Sequence, residues 1–442
     1  MRTRLSGLVL SVSLLAPGAF VLGAGADQGG SPTLSEETVR GAVQSAAPLR
    51  ERAGSRWKAG PEYDGRYWVV IRATTKEQRT ALAGLGLSIE EVHPDRVAGT
   101  AHIKDIEAMK ARGFVVDEMV ALGDLAEKGF PPKDEAYHDY GEMAALMGEL
   151  AAKNPGLVSM FSAGKTWQDR EIWVLRFNSS ASGLRPSSKP GALLMGTHHA
   201  REHLTTEVPL LFAVHLSDNK NKPEVKKLLD SRDIHIIPMI NPDGVEYDVA
   251  TSQYRWQRKN MRVNPDGEIG VDLNRNYGYE WGGVGASDQP YSDTYHGPSA
   301  FSEPETAAIK RFVEARPNIK TSISYHSYGS LIFYPWSYSY DPIPNKKDLA
   351  AFKAAAAKMA SLTGYTAEQS SDLYASSGDT DDWMYGVRRV FGFTYELEGG
   401  SFYPGSAAIA PAVKKNTAAA LYLIGIADDI YQASGSEAGA GR

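Results

Sequence analysis

Two short segments far apart in the chain carry residues that could do chemistry together: His199-Ala200-Arg201-Glu202, and His326 within Ser324-Tyr325-His326-Ser327-Tyr328. They supply two imidazoles and one carboxylate, the donor set of a catalytic zinc centre that leaves a coordination position open for water. Glu202 follows His199 by three residues, so both side chains can face one way from a single turn, and a distant strand can bring His326 to them. Zinc held this way lowers the pKa of a coordinated water toward about 7 and polarises a carbonyl. Amide hydrolysis needs three further parts: a base, a positive group for the developing oxyanion, and a means of holding substrate.

The rest of the sequence must position those residues, and its composition limits what they can be part of. With 442 residues, 42% hydrophobic and 23% charged, the chain suits a soluble protein of two or three domains. The net charge of −6 and the absence of a Lys/Arg cluster interleaved with aromatics argue against nucleic acid as a partner. Arg2 and Arg4 precede an apolar run from Leu5 to Leu22, interrupted by Pro17-Gly18 and ending near Ala24-Gly25-Ala26. This pattern is expected of a secretory signal over 1–26, with no membrane association once it is removed. Zero cysteines exclude a disulfide framework, thiolate ligands and a cysteine nucleophile. No G-x-S-x-G elbow supports serine hydrolase chemistry.

Residues 27–65 read as a flexible lead rich in Gly, Ser and Ala. From residue 66 the pattern changes. Tyr67 to Ile71 is β-rich, Thr75 to Ala83 helical, Val97 to Ile103 strand-like, Lys104 to Arg112 helical and Phe114 to Val116 β-like. That order predicts a small open α/β sandwich over 66–122. A polar, proline-interrupted connector follows at 123–135, where a protease could cut.

Over 136–432, strands are expected at Ile172–Phe177, Leu193–Thr197, Asp233–Met239, Ile319–His326 and Phe391–Leu397. Helices are expected at Tyr140–Ala152, Leu204–Leu216, Glu303–Ala315, Asp348–Thr363 and Ala407–Ala427. Their alternation predicts one α/β domain: a mixed, mostly parallel twisted sheet with helices on both faces. Loops after strand C-termini are the usual site on such a sheet, and His199 and His326 fall there. Asn241-Pro242-Asp243-Gly244 reads as a turn, and 433–442 as a disordered tail.

In order along the chain stand Gly196-Thr197-His198-His199-Ala200-Arg201-Glu202, Asn241-Pro242-Asp243-Gly244, Arg258-Lys259-Asn260, Asp272-Leu273-Asn274-Arg275-Asn276, His326-Ser327-Tyr328, Tyr374 and Glu396-Leu397. With these segments the sequence resembles the zinc carboxypeptidase family, metallopeptidases that remove single C-terminal residues. The resemblance implies that His199, Glu202 and His326 hold one catalytic Zn²⁺ and that Glu396 is the general base. It implies that Arg258 faces the oxyanion and that Asn274, Arg275 and Tyr374 bind the substrate's terminal carboxylate, which selects chain ends. Gln257 departs from the family pattern, so Arg255 stays a second candidate for the oxyanion role. Arg201 is implied to contact substrate further upstream, and Tyr328 to line its path after a cis bond from Ser327.

Counting from Tyr374 places Asp381 at the family's pocket floor, which implies acceptance of Lys or Arg ends, with apolar ends also taken. Asp379, Asp381 or Asp382 could instead cap a helix or bind a structural Ca²⁺. The sandwich over 66–122 resembles the family's activation propeptide, implying a secreted, extracellular, monomeric zymogen trimmed by an activating protease, with peptides or proteins bearing a free C-terminus as substrates. Two other readings stay open: a zinc amidohydrolase of the same fold acting on cell-wall peptides or small acylated molecules, and a non-catalytic peptide-binding relative.

Overall fold

The computed structural model describes residues 65–122, 134–250 and 254–435. The expected signal, nearly all of the lead, the connector as far as residue 133 and the tail beyond 435 lie outside the described residues.

The first described segment forms β1 (Arg66–Arg72), α1 (Lys76–Gly84), β2 (Ser88–Val92), β3 (Arg96–His102), α2 (Ile103–Ala111) and β4 (Val116–Ala121), the expected elements with β2 added between α1 and β3. The strands make a sheet ordered β2-β3-β1-β4. Alternation along β1 and β3 turns Val69, Ile71, Val97 and Ala101 inward, where they bury against Leu82, Ile106 and Met109 of the two helices. Thr75 starts α1 with a reciprocal capping box to Gln78.

The larger domain runs α3 (Tyr140–Lys153), β5 (Val158–Lys165), β6 (Glu171–Phe177), β7 (Gly191–Gly196), α4 (Leu204–Asp218), α5 (Pro223–Ser231), β8 (Asp233–Ile237) and α6 (Pro242–Val249). It continues with α7 (Pro304–Glu314), β9 (Ile319–Ser327), β10 (Leu331–Tyr334), α8 (Lys346–Thr363), β11 (Thr366–Gln369), α9 (Ser370–Leu373), α10 (Thr380–Arg388), β12 (Phe391–Leu397) and α11 (Ile409–Gly425). Its sheet is ordered β11-β10-β12-β9-β7-β8-β6-β5. The central strands β12, β9, β7 and β8 are parallel, whereas β10 pairs antiparallel with β12, and β6 with both β5 and β8. Every residue of β7 and β8 is buried. Such strands read as continuous apolar runs because helices cover both faces. Helices α4, α8 and α11 contribute to one core, and α7 and α10 to the other.

Several elements escaped the sequence patterns. Strands β10 and β11 are four residues each, too short for a period to register. The expected turn at Asn241 is instead the start of α6. Pro242 takes its first position, and the Asn241 side chain accepts a 3.1 Å hydrogen bond from Gly244 N. Ala433 and Ser434, expected to open the tail, belong to a 3₁₀ turn over Ile430–Ser434.

Gly196 ends β7 where backbone from two other segments closes on it. A Cβ at this position would lie 2.1 Å from the Thr205 carbonyl oxygen and 2.6 Å from that of Pro238. Gly196→Ala should therefore cost about 3 kcal/mol, seen as a lower urea midpoint for the full chain; an unmoved midpoint would show that the two carbonyls can retreat.

Candidate metal centre and active site

Three adjacent parallel strands place the site. β7 and β9 pair with Gly196 opposite Tyr325, and β9 and β12 pair with His326 directly opposite Glu396. Residues in register on parallel neighbours project to the same face, so His326 and Glu396 share a side. His326 is thus the penultimate residue of a strand rather than part of the loop after it. At the end of β7 the chain reverses through Thr197, a β-branched residue at φ 57°, a conformation such residues rarely adopt. Its nitrogen donates to Thr205 Oγ1 at 3.0 Å, and its hydroxyl lies 2.7 Å from Thr206 Oγ1. These bonds from α4 fix the reversal that turns His199 and Glu202 back over the strand ends.

The three donors converge. His199 Nδ1 lies 2.7 Å from Glu202 Oε1 and 3.1 Å from His326 Nδ1, while His326 Nδ1 is 3.1 Å from Glu202 Oε2. Among the described residues this is the one group of three or more His, Asp or Glu side chains whose ligand atoms all lie within 4.8 Å of one another. His199 Nε2 sits 3.0 Å from Asp272 Oδ1. A carboxylate accepts only, so Nε2 carries the proton and Nδ1 offers its lone pair to the centre. Two imidazole nitrogens and a carboxylate facing one another, all nearly inaccessible to water, fit a cation among them, and nitrogen with oxygen donors fit zinc.

Asp272 also receives Arg258, through Nε at 3.1 Å and Nη2 at 2.9 Å. Burial would raise the Asp272 carboxyl, but Arg258 and His199 outweigh it and hold the group well below the usual carboxylate range. Burial acts on Glu202 the same way, and the two imidazoles likewise keep it ionised. Glu396 behaves oppositely: burial, then repulsion from Glu202 and Glu90, push it well above its ordinary value against the pull of Arg258 and Arg275.

A cavity of about 450 Å³ opens over these groups, lined by the three donors and by Arg258, Asn274, Arg275, Tyr328, Tyr374 and Glu396. Arg275 Nη1 donates to the Asn274 carbonyl at 2.8 Å, Nε to the Gly285 carbonyl at 3.0 Å, and Nη2 reaches Tyr374 Oη at 3.5 Å. The Ser327–Tyr328 peptide is cis, as the resemblance implied, and so is Pro335–Trp336.

Residues 143–419 match the family model described as zinc carboxypeptidase. The chain belongs to the zinc carboxypeptidase family. It is 32% identical over 410 residues to a zinc carboxypeptidase of Saccharothrix mutabilis subsp. capreolus, covering 87% of this chain and 94% of that protein. To carboxypeptidase A2 of Rattus norvegicus it is 35% identical over 291 residues, 65% of this chain and 68% of the relative. The crystal structure of carboxypeptidase A from Helicoverpa armigera superposes with a TM-score of 0.67 over 85% of this chain and 99% of that one, at 24% identity. This zinc metallocarboxypeptidase therefore has the fold that the sequence resemblance implied.

Not every expected site residue of this carboxypeptidase faces the cavity. Arg255 does not: its guanidinium lies over the Tyr247 ring at 4.4 Å, leaving Arg258 beside the metal donors. Arg201 is fully buried under the sandwich. It pairs closely with Glu90, donates to Thr100 Oγ1 at 3.0 Å and Ser88 Oγ at 3.1 Å, and stacks over Phe402. Asp381 sits behind the wall, accepting from Thr394 Oγ1 at 2.6 Å, while Thr394 and Asp379 line the cavity itself. Among the described residues the three aspartates do not gather as a metal-ligand group: Asp379 caps α10 through Asp382 N, and Asp382 accepts from the nitrogens of Ser337 and Tyr338.

Sequence reasoning quoted Asp272 within a motif and gave it no role. The rule that a metal-binding histidine needs a partner for its second nitrogen would have singled it out. Asp272→Asn removes the charge that orients both His199 and Arg258. We expect zinc affinity to fall between about 10- and 100-fold in chelator competition, and an unchanged affinity would show that Asp272 serves packing alone.

Proposed function

We propose that the protein is a secreted carboxypeptidase made as a zymogen, releasing single residues from the C-termini of peptides and proteins, with basic and apolar ends both accepted. One observation carries the exopeptidase reading: Asn274, Arg275 and Tyr374 share a cavity wall close to Arg258, Glu396 and the metal donors. A carboxylate anchored by a guanidinium fork places the last peptide bond, and no internal one, beside the reacting groups.

His199, Glu202 and His326 would hold zinc, which when bound acidifies water and polarises the scissile carbonyl. Glu396 takes the proton of the attacking water and passes it to the departing amine, so the water oxygen ends on the acyl carbon and the C–N bond breaks. Its burial among carboxylates favours proton uptake, which suits a base that must then act as an acid. Arg258, locked by Asp272, faces the negative charge that develops on the carbonyl oxygen. Glu396→Gln should lower kcat by about 1,000-fold or more with zinc content unchanged; near-normal turnover would remove Glu396 from the chemistry.

Support for basic ends comes from Asp379 on the wall and Asp381 one layer behind it. Burial first, then Asp379, pushes the Asp381 carboxyl well above its ordinary value, which favours its uncharged form toward apolar ends, while a cation in the pocket would favour the charged one. Asp381→Ala should lower the ratio of kcat/KM for Lys over Leu ends about tenfold. The zymogen reading is supported by Glu90, Glu91 and His93 of the sandwich, which line the cavity, and by Tyr328 Oη donating to Glu91 at 3.0 Å.

The test is to produce the full chain, trim a portion by limited proteolysis within 123–133, and follow peptides differing only in the last residue by mass. Sequential single-residue loss, faster after trimming and stopped by a zinc chelator, is expected. Internal cuts, or equal activity before trimming, would overturn the exopeptidase and zymogen readings respectively.

A further inference from the structure

Asn274 offers the cavity only one end of its amide. Its Oδ1 accepts from Thr380 N at 3.0 Å and from Thr380 Oγ1 at 2.8 Å. An amide oxygen has two acceptor positions. Both are filled, which turns Nδ2 away from Thr380, and Nδ2 has no partner among the described residues. Were the amide flipped, two donors would meet two donors and the oxygen would confront an incoming carboxylate.

The Thr380 hydroxyl is itself held. Having given its proton to Asn274, it meets His198 Nε2, 3.2 Å away, as an acceptor. His198 Nε2 also lies 2.9 Å from Tyr277 Oη, and Nδ1 lies 3.2 Å from Ser324 Oγ, so one tautomer satisfies both ring nitrogens. Thr380, His198, Tyr277 and Ser324 are each completely buried, so no solvent competes for these bonds. The His198 ring stacks on His326, with centroids 5.4 Å apart and planes 10° from parallel. A chain of contacts thus runs from His326 to Asn274 through His198 and Thr380, neither of which lines the cavity.

We propose that Thr380 is a positioning residue: its hydroxyl, oriented by His198, fixes the Asn274 amide with its donors toward the departing residue's carboxylate, and the His198–His326 stack sets that anchor relative to the metal. This rests on the reading of Asn274 and Arg275 as the carboxylate anchor. The consequence is specific to ground-state holding of chain ends. Removing the hydroxyl should raise KM for peptides, and the inhibition constant of a simple carboxylate such as 3-phenylpropanoate, by about tenfold, with kcat within about threefold.

The full chain, activated by limited proteolysis, is compared as wild type, Thr380→Val, Thr380→Ser, His198→Phe and the double variant Thr380→Val/His198→Phe. We expect the valine variant to show both rises while keeping its zinc content and melting temperature, the serine variant to match wild type, and the KM effects of the two single changes not to multiply in the double variant. An unchanged KM in Thr380→Val, a serine variant as impaired as the valine one, or effects that multiply freely would overturn the proposal. If the valine form does not fold, Thr380→Ala against Thr380→Ser decides on the same KM criterion. Failure of the underlying anchor reading looks different, because wild type itself would then cleave C-terminally amidated peptides as fast as free acids.

Discussion

Three electron-pair donors aimed at one point from three directions are the constraint around which the larger domain is organised. His199, Glu202 and His326 approach within 2.7–3.1 Å of one another in a place water barely reaches. Without a cation that arrangement sets lone pair against lone pair, so the fold must hold the donors together against their own repulsion. It does so with the stiffest parts available: a strand buried on both faces, a reversal locked by threonine hydroxyls, and a carboxylate behind His199. Metal binding relieves the repulsion, and its free energy becomes folding free energy because the unfolded chain has no such site.

The same cluster shows how one residue type is given different tasks by its surroundings. Four of the buried carboxylates on or near the cavity wall show it. Glu202 and Asp272 each have cationic or imidazole neighbours and stay ionised; Glu396 and Asp381 have mostly burial and other carboxylates, and are pushed upward. A carboxylate held in its charged form suits a ligand or an orienting group, whereas one whose affinity for a proton is raised suits proton transfer. Arg258 contributes to both sides of this division. It lowers Asp272 while sitting within 3.3 Å of His199 Nδ1, so its own position depends on the carboxylate that also sets the histidine.

What could be read from the sequence divides along a physical line. Long elements with a strong period, such as β6, α4, α8 and β12, were legible because burial of one face or both writes itself into residue type. The donor set was legible too, since metal chemistry tolerates few residue types and spacings. The short strands β10 and β11 were not, because their pairing comes from neighbours distant in sequence. Asp381 and Arg201 show the same limit at the level of side chains. Counting along the chain puts Asp381 at the pocket floor, whereas the turn of α10 sets it behind Thr394, which lines the cavity. Arg201 follows a metal donor by two residues, yet its direction is set by Glu90 and Thr100 on another sheet. Thr380 and His198 lacked any signal beyond polarity, since the role of each exists only through contacts with the other.

The interface between sandwich and larger domain differs in kind from either core. Arg66 donates to the carbonyls of Trp256 and Arg255, Thr100 to Asp293, Thr294 to the Ala83 carbonyl, and Arg79 to the carbonyls of Leu373 and Asp372. Thr80 Oγ1 accepts from Ala375 N at 2.8 Å, immediately after Tyr374. Each of these groups can exchange its protein partner for water at little net cost, whereas an apolar core cannot be opened without exposing surface that water rejects. Arg201 and Glu90 illustrate the balance. As a closely paired, buried couple they offset each other's desolvation, but the pair contributes little beyond what two solvated ions would have. A contact built this way is specific in register and modest in strength. Ring contacts, Trp68 with Trp256 and His102 with Tyr291, accompany these bonds, so the polar pairs fix the register of the interface while the rings add the apolar burial that it otherwise has little of.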